Sequence, residues 1–258
     1  MFTYADTPVT FIGLFILFAF SLAWGLYELT RRQDRVQAVS NTLHLVMSVV
    51  MLLMVSRATW RPLASTVPAW LLVGFFAAAV LWFVALALTG RGSRAHFAGH
   101  AAMFGAMTWH LAGMEVKMAS MSKAMPSGPM GGHAHARLPM AAAAGPADPM
   151  WWVAVVGAPL MAYLLVAAVL DLVRVVRSAP APAAAPHAAP LLVGAGAPLA
   201  EVPGVPQVHA TGCHEPRTVA STSFRLAALA AFAMNFGMFW MSTGLMVPVL
   251  PWMTHLAF

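Results

Sequence analysis

The sequence predicts an all-α fold: an integral membrane six-helix bundle, readable as three pseudo-repeated helical hairpins. Three observations predict it. Hydrophobic residues make up 60% of the chain and charged residues 9%, with a mean hydropathy of +0.77. That leaves too little charge to cover a soluble surface and suits a chain solvated by lipid. Six apolar stretches reach or approach the ~20 residues a helix needs to cross a hydrocarbon core of about 30 Å. Methionine and histidine gather on every second stretch instead of spreading evenly.

The first stretch, 8–29, follows a leader, Met1 to Val9, that holds Asp6 and no Lys or Arg, and no A-x-A site comes after it. It therefore reads as a retained span and not as a cleaved leader. The second, 39–57, is the weakest, interrupted by Asn41, His44 and Ser48. It carries His44, Met47, Met51 and Met54 at steps of three, four and three. The third, 68–89, has neither residue type, like the first. The fourth, 95–114, begins a longer row: His96, His100, Met103, Met107, His110, Met114, Met118, Met121 and Met125, ending before Pro126. At about 100° per residue these nine fall within roughly 80° of one helix. The fifth, 150–173, has only Met150 and Met161, and the sixth, 224–247, has Met234, Met238 and Met241 at helical spacing, then Met246.

Two segments lie between spans. Residues 115–149 are rich in Met, Gly, Ala and Pro and include Met130, His133, His135 and Met140. Residues 178–222 open with the tract APAPAAAPHAAP and are expected to be extended and disordered. The chain thus divides into 1–177 with five spans and the Met/His-rich loop, the Ala/Pro-rich loop 178–222, and 223–258 with the last span. Nine basic residues follow spans one, three and five (Arg31, Arg32, Arg35, Arg91, Arg94, Arg174, Arg177, Arg217, Arg225), against five on the other side (Arg57, Arg61, Lys117, Lys123, Arg137). The bias places both termini outside a cell membrane and the loop 178–222 in the cytoplasm. Trp60, Trp70, Trp151, Trp152 and Trp252 then form an outer belt, with Trp24 and Tyr27 at the inner face. The net charge of +6 belongs to this bias and meets anionic lipid, not nucleic acid.

The ligand-bearing spans share one pattern, [His/Ala]-x-x-Met-x-x-x-Met-x-x-[Met/His]. It aligns Met47 with Met103 and Met234, Met51 with Met107 and Met238, and Met54 with His110 and Met241, while Ala231 takes the place of His44 and His100. All three spans run the same way, so the rows can stack in layers about 5–6 Å apart. Repeats about an axis along the membrane normal are a transporter device. Thioether sulfur is neutral and soft, selecting Cu(I) over Zn(II), Mg(II) or Ca(II). It also spares the membrane a buried carboxylate. The expectation is a Met/His axis that binds Cu(I), with imidazoles at the inner end and a methionine-rich collector outside. Its role is either copper translocation or delivery to a membrane cuproenzyme such as a respiratory oxidase.

The Met-x-x-x-Met spacing at Met47/Met51, Met103/Met107 and Met234/Met238, with a methionine-rich outer segment, is similar to that of the Ctr-type copper uptake transporters. Those are homotrimers of three-span subunits whose Met-x-x-x-Met helices build stacked thioether triads. This chain departs in having six spans and three unequal copies, so the resemblance implies only the triad idea. The layout also resembles a family of uncharacterised actinobacterial membrane proteins, through His-x-x-Met at His100 and Ala-Met-x-Trp at Met107 and Trp109. That resemblance covers most of spans two to four and implies no activity.

Other readings stand beside copper. Methionine stripes also serve as helix interfaces, which would make the chain a structural accessory subunit of a membrane complex. His44 facing His100 or His110 could supply bis-imidazole ligation to haem b, although that leaves the methionine rows unexplained. An enzyme is not expected, because the spans hold no paired carboxylates, di-iron motif or nucleophile–base pair. Asp171 beside Arg174 reads as helix-end pairing. The single Cys213 excludes an internal disulfide.

Overall fold

The structure is a computed structural model that describes residues 7–31, 33–90, 93–124, 147–178, 208–209, 217–218 and 221–255. Seven helices account for nearly all of them: α1 (Pro8–Leu29), α2 (Arg35–Val55), α3 (Arg57–Thr66), α4 (Ala69–Thr89), α5 (Arg94–Ala124), α6 (Pro149–Arg177) and α7 (Thr222–Met246). A 3₁₀ turn, Pro251–His255, closes the described chain and packs on α7. Val208–His209 and Arg217–Thr218 pair as two short antiparallel strands inside the Ala/Pro-rich segment.

Polar side chains start these apolar helices where the chain turns. Asp34 and Gln37 form a reciprocal capping box at α2, with the Gln37 N–H donating to Asp34 Oδ1 at 2.7 Å. Ser56, Asp148 and Ser221 accept from the first turns of α3, α6 and α7. Each supplies an acceptor to a helix-start N–H that otherwise has no partner in the helix. Gly90 ends α4 in the left-handed region at φ 68°, a conformation glycine adopts without a Cβ penalty.

The helices associate as three hairpins, α1 with α2, α4 with α5 and α6 with α7; α1 also packs on α7, and α5 on both α6 and α7. The hairpin partners are unequal. In their most apolar stretches α1, α4 and α6 are 22%, 22% and 28% buried, whereas α2 and α7 reach 44% and 56%. The first member of each hairpin turns large apolar side chains outward: Val9 and Ile16 on α1, Leu81 and Leu88 on α4, Val166 and Val176 on α6. So large an exposed apolar surface suits lipid and not water. Five helices, α1, α2, α4, α6 and α7, are long and apolar enough to cross a membrane, and the protein is a membrane protein. The sixth expected span, α5, has length to spare at 31 residues, about 46 Å of helix. Its apolar character is diluted by His96, His100 and His110 and, near its end, by Glu115 and Lys117. It gains shelter from α4, α6 and α7 instead.

Two glycines set the closest approaches. The Trp109 indole of α5 occupies the place a Cβ on Gly157 of α6 would take, and Phe18 of α1 comes within 2.6 Å of such an atom on Gly237 of α7. The short helix α3 has no counterpart in the spans read from the sequence. It is ten residues long with no fully buried side chain, and only Trp60 reaches the core.

Candidate metal-binding axis

The helices that carry the ligand pattern are the inner members of the hairpins. From α2, Met47, Met51 and Met54 are buried; from α5, Met103, Met107 and His110; from α7, Met234, Met238 and Met241. The eight methionines belong to one continuous core cluster. The arrangement is not evenly threefold. Helices α5 and α7 pack directly, while α1 lies against both α2 and α7. α2 meets α5 through side chains, at His44 with His100 and with Phe104.

The histidines fall into two groups. His44, His100 and His96 are half-buried and joined in a line: His44 Nδ1 to the Ser40 carbonyl at 2.7 Å, His44 Nε2 to His100 Nδ1 at 2.9 Å, and His100 Nε2 to His96 Nε2 at 3.0 Å. Phe83 and Phe104 wall this chain, with ring centroids 5.9 and 5.2 Å from His44, and Phe83 5.1 Å from His100. His44 and His100 occupy the same place in the shared pattern, so the register read from the sequence coincides with an actual contact. Nearly three turns beyond His100 along α5, buried His110 hydrogen-bonds Ser242 Oγ of α7 at 2.8 Å through Nδ1.

Beyond the core the row leaves the bundle. Met114 is partly buried against the core, whereas Met118 and Met121 are 63% and 62% exposed. Met125 and the loop residues Met130, His133, His135 and Met140 lie outside the described residues.

One polar site is larger than its local sequence shows. The Asp171–Arg174 pair is present at 2.6 Å, but Asp171 is buried and also accepts from Asn235 Nδ2 of α7 at 3.0 Å. It therefore ties α6 to α7. Asn235 Oδ1 is buried and has no hydrogen-bond partner. Tyr163 adds a bond from α6 to the Gly99 carbonyl of α5 at 2.8 Å. An asparagine beside Met234 in an apolar span was the available signal, since polar groups at membrane depth are rarely idle. Ser242 and Trp109, whose indole N–H donates to the Val153 carbonyl at 2.8 Å, carried no comparable signal.

The donor set bears differently on haem and on copper. Iron between two imidazoles holds the ligating nitrogens about 4 Å apart. His44 and His100 stand at 2.9 Å with phenyl rings packed around them, so iron held between these two rings would require them and the phenyl walls to move apart. Among the described residues no three His, Cys, Asp or Glu side chains form a group that could hold a metal ion. The three histidines bond to one another in a line and do not converge. The axis itself offers thioether sulfur, with His110 as an imidazole in one layer, and thioether chemistry suits a soft monovalent ion.

Matched against models of protein families, residues 36–246 fit the one described as a domain of unknown function (DUF5134). The chain belongs to that family. The DUF5134 match runs from the second residue of α2 to the last of α7, enclosing all three ligand-bearing helices and leaving α1 outside. No curated protein and no solved structure matches the chain.

Proposed function

We propose that this member of the DUF5134 family binds Cu(I) as cargo and holds or passes it along the Met/His axis of α2, α5 and α7. The observation that carries the reading is the distribution of methionine. Eight of them, at matching places of one sequence pattern, lie buried on the inner helices of three hairpins, while the outer helices α1 and α4 have none in their apolar cores and α6 buries one, Met161. Generic packing filler has no reason to choose alternate helices.

Each part has a distinct task. The layers Met47/Met103/Met234 and Met51/Met107/Met238 offer only neutral, polarizable sulfur, and Met54/His110/Met241 adds one imidazole. Exposed Met118 and Met121, with Met125 beyond them, collect the ion from outside. His44 and His100, with His96 behind His100, receive it at the inner end, where imidazole binds copper more strongly. The basic-residue bias supports an orientation with both termini outside the cell membrane. Translocation and delivery to a membrane cuproenzyme such as a respiratory oxidase both use this axis. No catalytic step is assigned.

The test is the copper content of purified protein, wild type against the triple variant Met51→Leu/Met107→Leu/Met238→Leu. Leucine keeps the volume and removes the sulfur, so a folded variant that has lost its Cu(I) supports the reading. Equal copper in both, or none in either, returns the methionines to a packing role.

A further inference from the structure

The hydrogen bonds of His44, His100 and His96 have a direction that one atom fixes. The Ser40 carbonyl only accepts, so His44 Nδ1 carries a proton and donates to it at 2.7 Å. In a neutral ring the other nitrogen is then an acceptor, so His44 Nε2 accepts from His100 Nδ1–H at 2.9 Å. By the same rule His100 Nε2 accepts from His96 Nε2–H at 3.0 Å. Three imidazoles from two helices form one chain whose N–H bonds all point towards Ser40. The chain is closed at that end, because an amide carbonyl does not hand a proton on. It can shift protons within itself but cannot conduct them across the membrane.

This polarity bears on what the inner end can ligate. A cation held between α2 and α5 needs a lone pair on each nitrogen that faces the gap. His44 Nε2 has one. His100 Nδ1 spends its own on a proton.

We propose that the chain is a tautomeric switch: a soft monovalent cation, Cu(I) or Ag(I), enters between His44 Nε2 and His100 Nδ1 as His100 and His96 reverse tautomer. The step balances. A proton from water bonds to His96 Nδ1, and the His96 Nε2–H proton passes to His100 Nε2. The His100 Nδ1–H bond breaks, and its proton leaves to water as the metal–nitrogen bonds form. One proton is taken up and one released, the rings stay neutral, and the only added charge is the cation's. The facing nitrogens must separate from 2.9 Å to the roughly 4 Å that two metal–nitrogen bonds span. His96 touches neither the gap nor the metal; it is a positioning residue that lets His100 turn its lone pair inward.

The cation rests on the function proposed above, whereas the direction of the metal-free chain does not. The experiment is nitrogen NMR of the full chain in lipid nanodiscs with isotope-labelled histidine, before and after Ag(I), a redox-inert probe, alongside silver stoichiometry. Metal-free protein is expected to show His44 and His100 protonated at Nδ1, His96 at Nε2, and scalar coupling across both N–H···N bonds. Protonation of His100 at Nε2 in that state overturns the proposal. With silver bound, His100 and His96 are expected to reverse and the coupling between His44 and His100 to be lost. Bound silver with unchanged tautomers overturns the switch and leaves the methionine axis standing; no bound silver overturns both. His96→Leu removes the partner of His100 Nε2 and is expected to weaken Ag(I) binding at the inner end about 10- to 100-fold. An unchanged affinity also refutes the switch.

Discussion

Replacing Gly157 by alanine tests how α5 is seated, because the Trp109 indole occupies the place the new methyl group needs. The ring must move, and it is not free to do so cheaply. Its N–H donates to the Val153 carbonyl at 2.8 Å, and Trp109 belongs to the buried core. Forcing extra volume into a packed interior costs about 1–3 kcal/mol. Pulling the indole N–H off its acceptor in an apolar surrounding costs about 1–3 kcal/mol more. The Val153 carbonyl itself loses little, since the regular helix bond from residue 157 still serves it. Alanine returns about 1 kcal/mol as the better helix former. The net expectation is a loss of about 1–5 kcal/mol. Trp109→Phe alone removes donor and ring together and should cost less, about 1–2 kcal/mol. The pair should be strongly non-additive, because phenylalanine vacates the space that alanine invades. The assay is a double-mutant cycle in mixed detergent micelles, followed by far-ultraviolet circular dichroism, since nine tryptophans blur an emission signal. A Gly157→Ala protein as stable as wild type, or a double variant whose losses simply add, would refute the reasoning.

Two further outcomes are expected. Asp171→Ala leaves Asn235 with neither amide atom paired and should destabilise the α6–α7 hairpin by about 1–3 kcal/mol. Adding Asn235→Leu should recover part of that loss, and equal unfolding midpoints for the single and double variants would count against it. Met118→Ser/Met121→Ser should leave stability within about 0.5 kcal/mol, because both side chains are exposed. The same variant should slow Cu(I) capture by protein in vesicles, and an unchanged uptake rate would remove these residues from the collector.

The hairpin architecture was readable because lipid imposes a strong rule, that a spanning helix needs a long apolar run, and five helices obey it plainly. The sixth was also read as an apolar stretch, 95–114, but α5 is not among those five, because its histidines and its Glu115–Lys117 end dilute its hydropathy. The pairing of α2 with α5 was readable in part, since His44 and His100 hold the same place in the pattern and meet at 2.9 Å. Other features depend on distances that no local pattern encodes. Asp171 and Asn235 are 64 residues apart, and nothing near Asp171 announces that α7 will bring an amide to it. His110 and Ser242 are separated by 132 residues. Helix α3 escaped notice because it is short, polar and capped by a serine that equally suits a loop. The polarity of the imidazole chain lay beyond sequence altogether, since it turns on which ring nitrogen meets the Ser40 carbonyl.

The central claim is that sulfur on the inner helices binds copper, and X-ray absorption at the copper edge of purified, Cu(I)-loaded protein tests it most directly. The account predicts a first shell dominated by sulfur in wild type, and loss of that shell from a still-folded Met51→Leu/Met107→Leu/Met238→Leu variant. The fold should survive because each near-isosteric exchange costs under about 1.5 kcal/mol. A shell of nitrogen and oxygen alone in wild type, or a sulfur shell unchanged in the variant, would contradict it.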